Sequence, residues 1–484
     1  MTTPTDKINP DSIVSLVQQS VRRNWEYTAL SDFNGATFQY RDVARKIAKL
    51  HIIFDKAGLK PGDKIAICGK NCAQWAIAFL ASLTYGTVTV PILHEFKPDN
   101  IHHLVNHSDA RLLFTDRAIF ENLDPEIMTD IDGVIRIQDY SLMFSRSKHL
   151  TDARNSLNRL FGELYPERFT PDNVIYHCPD SDSDTALINY TSGSTGFSKG
   201  VMLSYRNLWS NIRFALDNID YLKPGDGMIC MLPLAHMFGL SIEMLFPFCK
   251  GCHVYFLTRT PSPRIIMEAF ATVKPKLIIT VPLVIEKIIK TRVFPMLDKP
   301  LMKLLLHLPV VDTHLLGKVK DKLVDTFGGN MVQLIIGGAP LSADVEAFLR
   351  KIKFPFTIGY GMTECAPLIS YEVWDRQRPG SCGRIVDRME ARIESPDADT
   401  PGVLWVRGDN VMKGYYKNPQ ATEAAFRDGW MSTGDICRMD ADGYLYIRGR
   451  DKSMILGPSG QNIYPEEIEI KVNNLPYVME SLVV

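Results

Sequence analysis

The sequence predicts a layered α/β fold with mostly parallel sheets, followed by a β-rich part. Short strand-like runs such as "DKIAICG", "LLFTD" and "KLIITVP" alternate with helical patterns such as "RIIMEAFATV" and "SADVEAFLRKI". That alternation is typical of parallel sheets covered by helices. After about Ser381 the pattern changes to strands and turns with few long helices. With 484 residues, 45% of them hydrophobic, the chain is long enough for two or more cores.

Charge and cysteine usage restrict the partners and the compartment. The formal net charge of -1 gives no general attraction to nucleic acid, so none is expected as a partner. The start of the chain, "MTTPTDKINPDSIV", has no apolar core of a secretory signal, which predicts a cytoplasmic location. Nine scattered cysteines fit a reducing compartment. Cys249 and Cys252 form a C-x-x-C without a second pair, and we expect reduced, buried thiols there.

Two segments resemble membrane-active sequences. The charge-free run Ala76–Leu93 is nearly as long as the roughly 20 residues of a membrane span. Gly86 and Pro91 instead favour a buried helix that ends at Gly86, followed by a strand "TVTVPI". The basic, amphipathic segment Phe294–Phe327 is either a peripheral membrane contact or a surface helix pair with inward leucines; we favour the second alternative.

A loop rich in glycine and hydroxyl residues, "YTSGSTGFSKG", spans Tyr190–Gly200. It follows a strand-like run and precedes a helix-like one. Glycines let backbone N–H groups surround an anion, while hydroxyls and a lysine add donors and charge, so the loop predicts a polyphosphate site. A flexible Gly/Ser turn is the alternative. The spacing excludes a Walker loop, because that motif has a glycine immediately before its lysine and a Ser or Thr after it, whereas here Ser198 precedes Lys199 and Gly200 follows it. The candidate phosphate ligands are Thr191, Ser192, Gly193, Ser194, Thr195, Gly196 and Lys199.

The loop resembles the phosphate loop of the acyl-adenylate-forming enzymes, a superfamily of acyl-CoA synthetases, luciferases and peptide-synthetase adenylation domains. Further segments that resemble this family follow in the family's order: "IIGGAPLS", "GYGMTECAP", "STGDICRMDADGYLYIRGRDKSMIL" and "GQNIYPEEIE". Each segment alone is explained by a tight turn, a core tyrosine or a helix cap. Five in order identify the chain as a member of the superfamily.

The resemblance implies a role for each matching residue. Tyr360 stacks on adenine, Thr363 contacts the α-phosphate, and Glu364 binds Mg²⁺, with the Thr191 hydroxyl as a second ligand. Asp435 and Arg450 hold the ribose hydroxyls. The adenine side further comprises Gly337, Gly338, Ala339, Pro340 and Gly361.

The family's chemistry accounts for these residue types. A substrate carboxylate attacks the α-phosphate of ATP and expels pyrophosphate, so catalysis depends on positioning and on neutralising charge. Magnesium takes few protein ligands, and a single carboxylate with phosphate oxygens is enough. A thiol then attacks the mixed anhydride and releases AMP. The implied co-substrates are ATP and coenzyme A.

The run "MLPLAHMFGLSIEMLFPF" indicates which class of carboxylic acid is the substrate. Peptide-synthetase domains hold the amino group of their substrate with an Asp in F-D-x-S, but here Gly239 follows Phe238, so an α-amino acid loses its anchor. Apolar surroundings suit an alkyl chain or an aromatic ring. His236 is placed beside the carboxylate, with a core histidine as the alternative. Val281 and Pro282 begin "VPLVIEKIIKT", and this segment with its helical insertion resembles long-chain fatty acyl-CoA synthetases. A long-chain fatty acid is the preferred substrate.

The resemblance also predicts the domains. Residues 1–450 form an N-terminal adenylation domain of two layered α/β subdomains, with a β-rich subdomain at about 381–450. A hinge lies at Asp451 or Lys452, and residues 451–484 begin a small α+β cap domain. They are fewer than the roughly 50 to 250 residues of an independent domain. We therefore expect a truncated form that lacks the catalytic lysine of the cap and adenylates poorly.

Three functions stay open from the sequence. The first is an AMP-forming long-chain fatty acid–CoA ligase. The second is the same activation with a carrier-protein thiol as acceptor, or with an aryl or medium-chain acid as substrate. The third is a nucleotide-binding regulatory protein without turnover. A homodimer is a further open expectation.

Overall fold

The chain folds into two compact units. The computed structural model describes residues 11–176, 181, 183–191, 199–258, 262–300, 302, 309–397, 400–451, 455–456, 462–463, 468–469, 472, 478 and 481–483. The first unit comprises Met1–Pro263 and Met412–Pro419, and the second comprises Arg264–Val411 and Gln420–Val484. Residues 412–419, within the β-rich part of the sequence, thus join the first unit.

The first unit contains an eight-stranded and a four-stranded sheet. The strand order of the larger sheet is Gly414–Tyr415, Lys199–Ser204, Thr185–Thr191, Val88–Ile92, Lys64–Cys68, Ala110–Thr115, Gly133–Arg136, Leu142–Ser145. The smaller sheet has the order Gly227–Cys230, His253–Phe256, Thr28–Asp32, Thr37–Gln39. In the larger sheet the pairs from Thr185–Thr191 to Gly133–Arg136 are parallel and the outer pairs are antiparallel. In the smaller sheet the pair of Thr28–Asp32 with Thr37–Gln39 is antiparallel, and the other two pairs are parallel. The predicted layered, mostly parallel α/β arrangement is confirmed here.

Helices accompany these strands along the chain. The α-helices of the first unit are Ile13–Arg23, Tyr40–Lys56, Ala73–Tyr85, Pro98–His107, Arg117–Phe120, Lys148–Asn155, Leu157–Leu164, Tyr205–Asn218 and Phe246–Lys250. Single turns of 3₁₀-helix lie at Pro125–Ile127 and Pro171–Asn173, and a π-helix spans Gly239–Leu245.

The charge-free run forms the predicted helix and strand. In helix Ala73–Tyr85 every side chain except those of Gln74 and Tyr85 is buried. The helix ends at Gly86, which adopts the left-handed conformation (φ 91°) that glycine accommodates most readily. Strand Val88–Ile92 follows and is fully buried. Within the part of the chain that the structure describes, no helix has both the length and the apolar character needed to cross a bilayer.

The second unit combines one parallel and three antiparallel sheets. Its parallel sheet has the order Leu277–Thr280, Gln333–Ile336, Phe356–Ile358. An antiparallel sheet has the order Tyr360–Gly361, Leu368–Tyr371, Arg384–Ile385. In the five-stranded sheet, Met389–Glu394 pairs with Gly402–Gly408, which pairs with Trp430–Met439; Phe426–Arg427 and Leu445–Arg450 both pair with Trp430–Met439. Strands Ile455–Leu456 and Asn462–Ile463 form a further pair.

The helices of this unit include the predicted amphipathic segment. The helices with described bounds are Pro263–Val273, Pro282–Ile288, Phe294–Leu297, Pro309–Thr326, Ala343–Lys351 and Pro419–Ala425, with a π-helix at Ile289–Val293 and a 3₁₀ turn at Thr363–Cys365. In helix Pro309–Thr326 the side chains of Leu316, Val319 and Leu323 are buried. Their spacing puts them on one helix face, as expected for a surface helix with inward leucines.

Candidate functional site

The phosphate-loop motif lies between two antiparallel strands of the first unit. Thr191, the last residue of strand Thr185–Thr191, is directly opposite Lys199, the first residue of strand Lys199–Ser204. The sequence predicted a strand-like run before the loop and a helix-like run after it. In the structure a second strand, Lys199–Ser204, intervenes, and helix Tyr205–Asn218 begins only after it. The apolar residues of "VMLS" form a ladder with the preceding strand instead. Ser192, Gly193, Ser194, Thr195 and Gly196 lie outside the described residues.

Aromatic side chains hold the base of this hairpin. The Tyr190 hydroxyl and Nδ1 of His107 form a hydrogen bond of 2.7 Å, and burial raises the pKa of Tyr190 above its ordinary range. The Lys199 ammonium lies 4.9 Å from the centroid of the Tyr415 ring, within cation–π distance. These contacts hold Tyr190 and Lys199, which lie on the two strands of the hairpin, against neighbouring side chains.

The segment Leu232–His236, which carries the predicted acid-side histidine, is held by two asparagines. Nδ2 of Asn71 donates to the Leu232 carbonyl at 2.7 Å, and Oδ1 of Asn71 accepts from the Leu234 N–H at 2.9 Å. Nδ2 of Asn189 donates to the Ala235 carbonyl at 2.8 Å. Because Asn189 belongs to the strand that ends at Thr191, the acid-side segment is tied to the strand before the phosphate loop.

A fully buried carboxyl group completes the support of this segment. Oε2 of Glu243, on the π-helix, accepts the backbone N–H groups of Met231 at 2.9 Å and Leu232 at 2.7 Å. Burial raises the pKa of Glu243 to about 8, although the two N–H donors oppose the shift. Oε1 has no hydrogen-bond partner within the described residues. The group therefore stays protonated at neutral pH, which avoids burying a charge.

Gly239 is required by close backbone contact. A Cβ atom at this position would lie 2.6 Å from the Pro233 carbonyl oxygen and 3.0 Å from that of Leu232. No side chain fits there without a shift of the segment. The Asp that anchors an amino group in peptide-synthetase domains is therefore excluded sterically as well as absent.

His236 lies between Pro233 and Gly239 in the sequence, and its side chain reaches solvent. Its N–H donates to the Pro233 carbonyl at 3.0 Å, and its own carbonyl accepts from Leu240 N–H at 2.9 Å. The side chain is exposed, but surrounding protein atoms reduce its hydration and lower its pKa, while Glu95 partly opposes the shift. The exposure contradicts the alternative of a core histidine. Phe238 is half-buried on the same segment.

Three of the predicted nucleotide residues meet in the second unit. Asp435 and Arg450 are register partners on neighbouring antiparallel strands, and Nε of Arg450 lies 3.3 Å from Oδ1 of Asp435. The Tyr360 hydroxyl donates to Oδ2 of Asp435 at 2.5 Å. Burial, followed by the Asp435 charge, raises the pKa of Tyr360 well above its ordinary value. Asp435 itself is buried, whereas Arg450 is exposed.

The motif "GMTECAP" folds into a tight turn directly after Tyr360. Met362 N–H donates to the Pro367 carbonyl at 2.8 Å, which closes the turn around the 3₁₀ segment Thr363–Cys365. A Cβ atom at Gly361 would lie 2.1 Å from the same carbonyl oxygen, so glycine is needed for this closure. Thr363 and Glu364 are half-buried on the turn and therefore remain accessible.

The adenine-side segment and the predicted acyl-pocket residues of this unit lie next to each other. Gly337 is buried, and its N–H donates to the Thr280 carbonyl at 3.1 Å. Gly338 has φ 86° and lies beside Val281, whose Cγ1 would be 3.8 Å from an added Cβ. The exposed Ala339 and Pro340 follow, and Pro282 is buried as the first residue of its helix. At the predicted hinge, Asp451 is exposed and Lys452 lies outside the described residues.

Sequence reasoning missed the residues that support the site, namely Asn71, Asn189 and Glu243. Glu243 had a signal, since it is the single acidic residue in the apolar run "GLSIEMLFPF". An acidic residue in such a run is either buried and specially bonded or exposed on a turn. The two asparagines had no comparable signal, because their partners are backbone groups far along the chain.

Comparison with known proteins agrees with these motifs. Residues 17–416 match the model of the AMP-binding enzyme family. The chain is 29% identical over 513 aligned residues to a long-chain-fatty-acid–CoA ligase of Escherichia coli O157:H7, covering 99% of this chain and 84% of that protein. It is 27% identical to long-chain-fatty-acid–CoA ligase 1 of Saccharomyces cerevisiae, with coverages of 95% and 71%.

The fold is similar to that of ATP-bound MatB from Rhodopseudomonas palustris. That comparison gives a TM-score of 0.75 at 24% identity and covers 96% of this chain and 85% of that structure. The family match extends over most of the chain and includes the phosphate loop, the acid-side segment and the "GYGMTECAP" turn. This chain belongs to the AMP-binding enzyme family.

Proposed function

We propose that this chain is an AMP-forming ligase that joins a long-chain fatty acid to coenzyme A. The observation that carries the proposal is the meeting of Tyr360, Asp435 and Arg450, far apart in sequence, through one hydrogen bond and one ion pair. The resemblance assigns these same residues to the adenosine part of ATP. The names of the E. coli and S. cerevisiae relatives support the acid and the thiol.

The proposed reaction has two steps. A carboxylate oxygen of the acid forms a bond to the α-phosphorus of ATP while the bond to the pyrophosphate oxygen breaks. The sulfur of coenzyme A then attacks the acyl carbonyl carbon, loses its proton and displaces AMP, which leaves a thioester. We assign the β- and γ-phosphates to the loop that ends at Lys199, and the α-phosphate to Thr363. His236 donates a hydrogen bond to the attacking carboxylate.

Glu364 is suited to hold Mg²⁺. Its carboxyl group is accessible on a turn whose backbone is fixed by hydrogen bonds. Among the described residues, no group of three or more His, Cys, Asp or Glu side chains could bind a metal. Magnesium in this class of site takes one or two protein oxygens and completes its shell with phosphate oxygens and water. When bound, the ion would neutralise charge on the phosphates.

We propose a fatty acid as the substrate because the side chains around the acid-side segment are apolar. Gly239 excludes a side chain by backbone contact, so no carboxylate from this position can pair with an amino group. Leu232 and Phe238 beside it are apolar and only half-buried, so they offer surface that a ligand can cover. Such surroundings gain free energy by covering alkyl surface rather than by pairing charges.

Isotope exchange between pyrophosphate and ATP tests this function. A form of the protein extended past Val484 would be assayed beside the 484-residue chain with palmitate, octanoate, benzoate and phenylalanine, with and without Mg²⁺. We expect exchange that depends on Mg²⁺ and is fastest with palmitate, followed by palmitoyl-CoA formation when coenzyme A is added. Exchange followed by transfer only to an acyl carrier protein would favour that acceptor instead. ATP binding without exchange for any acid would contradict a ligase and favour a nucleotide-binding protein.

A further inference from the structure

A cavity in the first unit contains none of the residues assigned above. It has a volume of about 590 Å³ and lies between helix Tyr40–Lys56 and the helices Lys148–Asn155 and Leu157–Leu164. Its apolar and aromatic lining is formed by Phe38, Leu50, Ile53, Tyr140, Leu157 and Phe161. The cavity is therefore large enough for a small organic molecule and offers rings on which it can pack.

Four cationic side chains line the same cavity. Arg45, Lys46 and Lys49 lie on one helix, and Arg154 comes from a second helix. Residues three and four positions apart on a helix are neighbours, and like charges at this spacing repel each other. All four side chains are half-buried, so water screens this repulsion less than on an open surface.

The cations have few negative partners. Lys46 lies 4.9 Å from the Phe38 ring centroid, and Lys49 donates to Oδ1 of Asn158 at 2.8 Å. Nε of Arg154 donates to the Tyr140 carbonyl at 2.5 Å. In the portion of the chain described here, none of these three cations forms an ion pair with a carboxylate. Arg45 is 3.7 Å from Asp42, a weak pair.

The charges of the lining do not balance. Asp42 and Asp139 are its only two carboxylates among the described residues, against four cations. Burial lowers the pKa of Lys46; the Lys49 charge lowers it further, and the Asp42 charge opposes the shift. Burial also lowers the pKa of Lys49, and the charges of Arg154 and Arg45 lower it further. An anion with about two negative charges would remove this mutual repulsion.

We propose that this cavity binds a phosphate ester, with the phosphate among Arg45, Lys46, Lys49 and Arg154 and an apolar or aromatic body against Phe38 and Phe161. A phosphate monoester carries a charge of about −1.5 to −2 at neutral pH. This charge matches the excess of cationic over anionic side chains in the cavity lining. Its three oxygens accept from several separate donors, whereas a carboxylate offers two. The ester is either a soluble metabolite or a phospholipid headgroup. The proposal does not rest on the ligase function.

Titration with phenyl phosphate in the absence of ATP tests the proposal, because ATP is itself a phosphate ester with an aromatic body and would compete for the cavity. Binding would be measured by calorimetry for the wild-type protein and for Lys46→Gln/Lys49→Gln. We expect the double variant to bind at least about tenfold more weakly, since two charged donors are lost. The matched control is Lys56→Gln/Lys60→Gln, which removes two exposed lysines at and beyond the end of the same helix. We expect its affinity to stay within about twofold of wild type.

Vesicles distinguish the two sources of the ester. Sedimentation with phosphatidylcholine vesicles, with and without phosphatidate, would be run on the same proteins. Binding that requires phosphatidate and disappears in the double variant assigns the site to a headgroup, whereas phenyl phosphate binding without vesicle binding assigns it to a soluble ester. The proposal is overturned if neither probe binds, or if the double variant binds as well as wild type.

Melting temperature separates a lost ligand site from a lost fold. In phosphate-free buffer the double variant should melt no lower than wild type, because it removes repulsion between like charges. If the double variant melts at a lower temperature, Arg45→Gln replaces it in the titration, since the only ion pair that Arg45 forms among the described residues is the weak one with Asp42. Unchanged phenyl phosphate affinity in that variant would then count against the proposal.

Discussion

The hydroxyl of Tyr360 donates a 2.5 Å hydrogen bond to Oδ2 of Asp435, a buried carboxylate on a different strand of the second unit. The bond fixes the orientation of the carboxylate that we assign to the ribose. Arg450, its register partner, approaches the other carboxylate oxygen from the neighbouring strand. In the adenosine-binding role that we propose for these residues, the Tyr360–Asp435 pair presents the carboxylate to the ribose.

Tyr360→Phe should weaken this pair while keeping the ring. A hydrogen bond to a charged group contributes about 1.5–3 kcal/mol, so the apparent melting temperature should fall by a few degrees. The Kd for ATP should rise roughly tenfold or less, because the ring still stacks, and Asp435→Ala should raise it further. Calorimetry of ATP binding measures both effects.

Tyr446→Phe is the matched control for this substitution. Tyr446 donates to Asp440 at 3.0 Å in the same sheet but is not assigned to the nucleotide. We expect it to affect stability without changing the Kd for ATP. If the two Phe variants bind ATP equally well, Tyr360 does not orient Asp435 for the nucleotide.

Glu243→Gln should change how stability depends on pH. The pKa of Glu243 is raised from 4.5 to about 8 in the folded protein, so between these values the folded state holds a proton that the unfolded state has lost. Stability from this group is therefore complete at low pH and falls as pH rises towards 8. Gln mimics the protonated form and does not titrate. Between pH 5 and pH 8 the melting temperature of the wild type should therefore fall relative to that of the variant. If the melting temperatures of the two proteins change with pH in parallel, Glu243 is not protonated in the folded protein.

Gly239→Ala should disturb the acid-side segment specifically. The added Cβ would lie 2.6 Å from the Pro233 carbonyl oxygen, which forces a backbone shift that costs about 1–3 kcal/mol. The apparent melting temperature should fall, and exchange with palmitate should fall more than ATP affinity does.

Gly162→Ala provides the control for that change. Gly162 lies in helix Leu157–Leu164, and an added Cβ there meets no atom within 4 Å. Alanine in a helix interior is favoured over glycine by about 0.5–1 kcal/mol, so this variant should be slightly more stable than wild type. Similar melting temperatures for the two variants would show that the close contact at Gly239 is relaxed without cost.

The sequence predicted elements whose signals are local and missed those that depend on distant contacts. The helix that ends at Gly86 and the strand after it were predictable, because a glycine in the left-handed conformation and β-branched residues act over a few positions. Strand Lys199–Ser204 was missed, since it is defined by its pairing with Thr185–Thr191. Asn71 and Glu243 were missed for the same reason: their partners, the N–H and carbonyl groups of residues 231–234, become neighbours only in the folded chain.

The pKa of His236 can be measured directly by NMR titration of its ring protons. Reduced hydration lowers this pKa below its ordinary value of 6.5, so the imidazole should be neutral at pH 7. Glu95 favours the charged form, and Glu95→Gln should therefore lower the pKa further. His253 serves as an internal reference. Burial lowers its pKa to about 4, and Glu95→Gln should not change that value. A His236 pKa above 6.5 would contradict the described environment.

His236→Ala tests the assignment of this side chain to the acid. A neutral imidazole at pH 7 donates one N–H, and losing a hydrogen bond to a carboxylate costs about 1.5–3 kcal/mol, or roughly 10- to 100-fold in kcat/KM for palmitate. The Kd for ATP should be unchanged, because no nucleotide role is assigned to His236. His236→Gln keeps an N–H donor and should recover part of the loss. A merely structural role would instead lower the melting temperature and reduce ATP and palmitate recognition together, and glutamine would then rescue neither. Measuring both ligands in both variants therefore distinguishes a residue that contacts the acid from one that only shapes the Leu232–His236 segment.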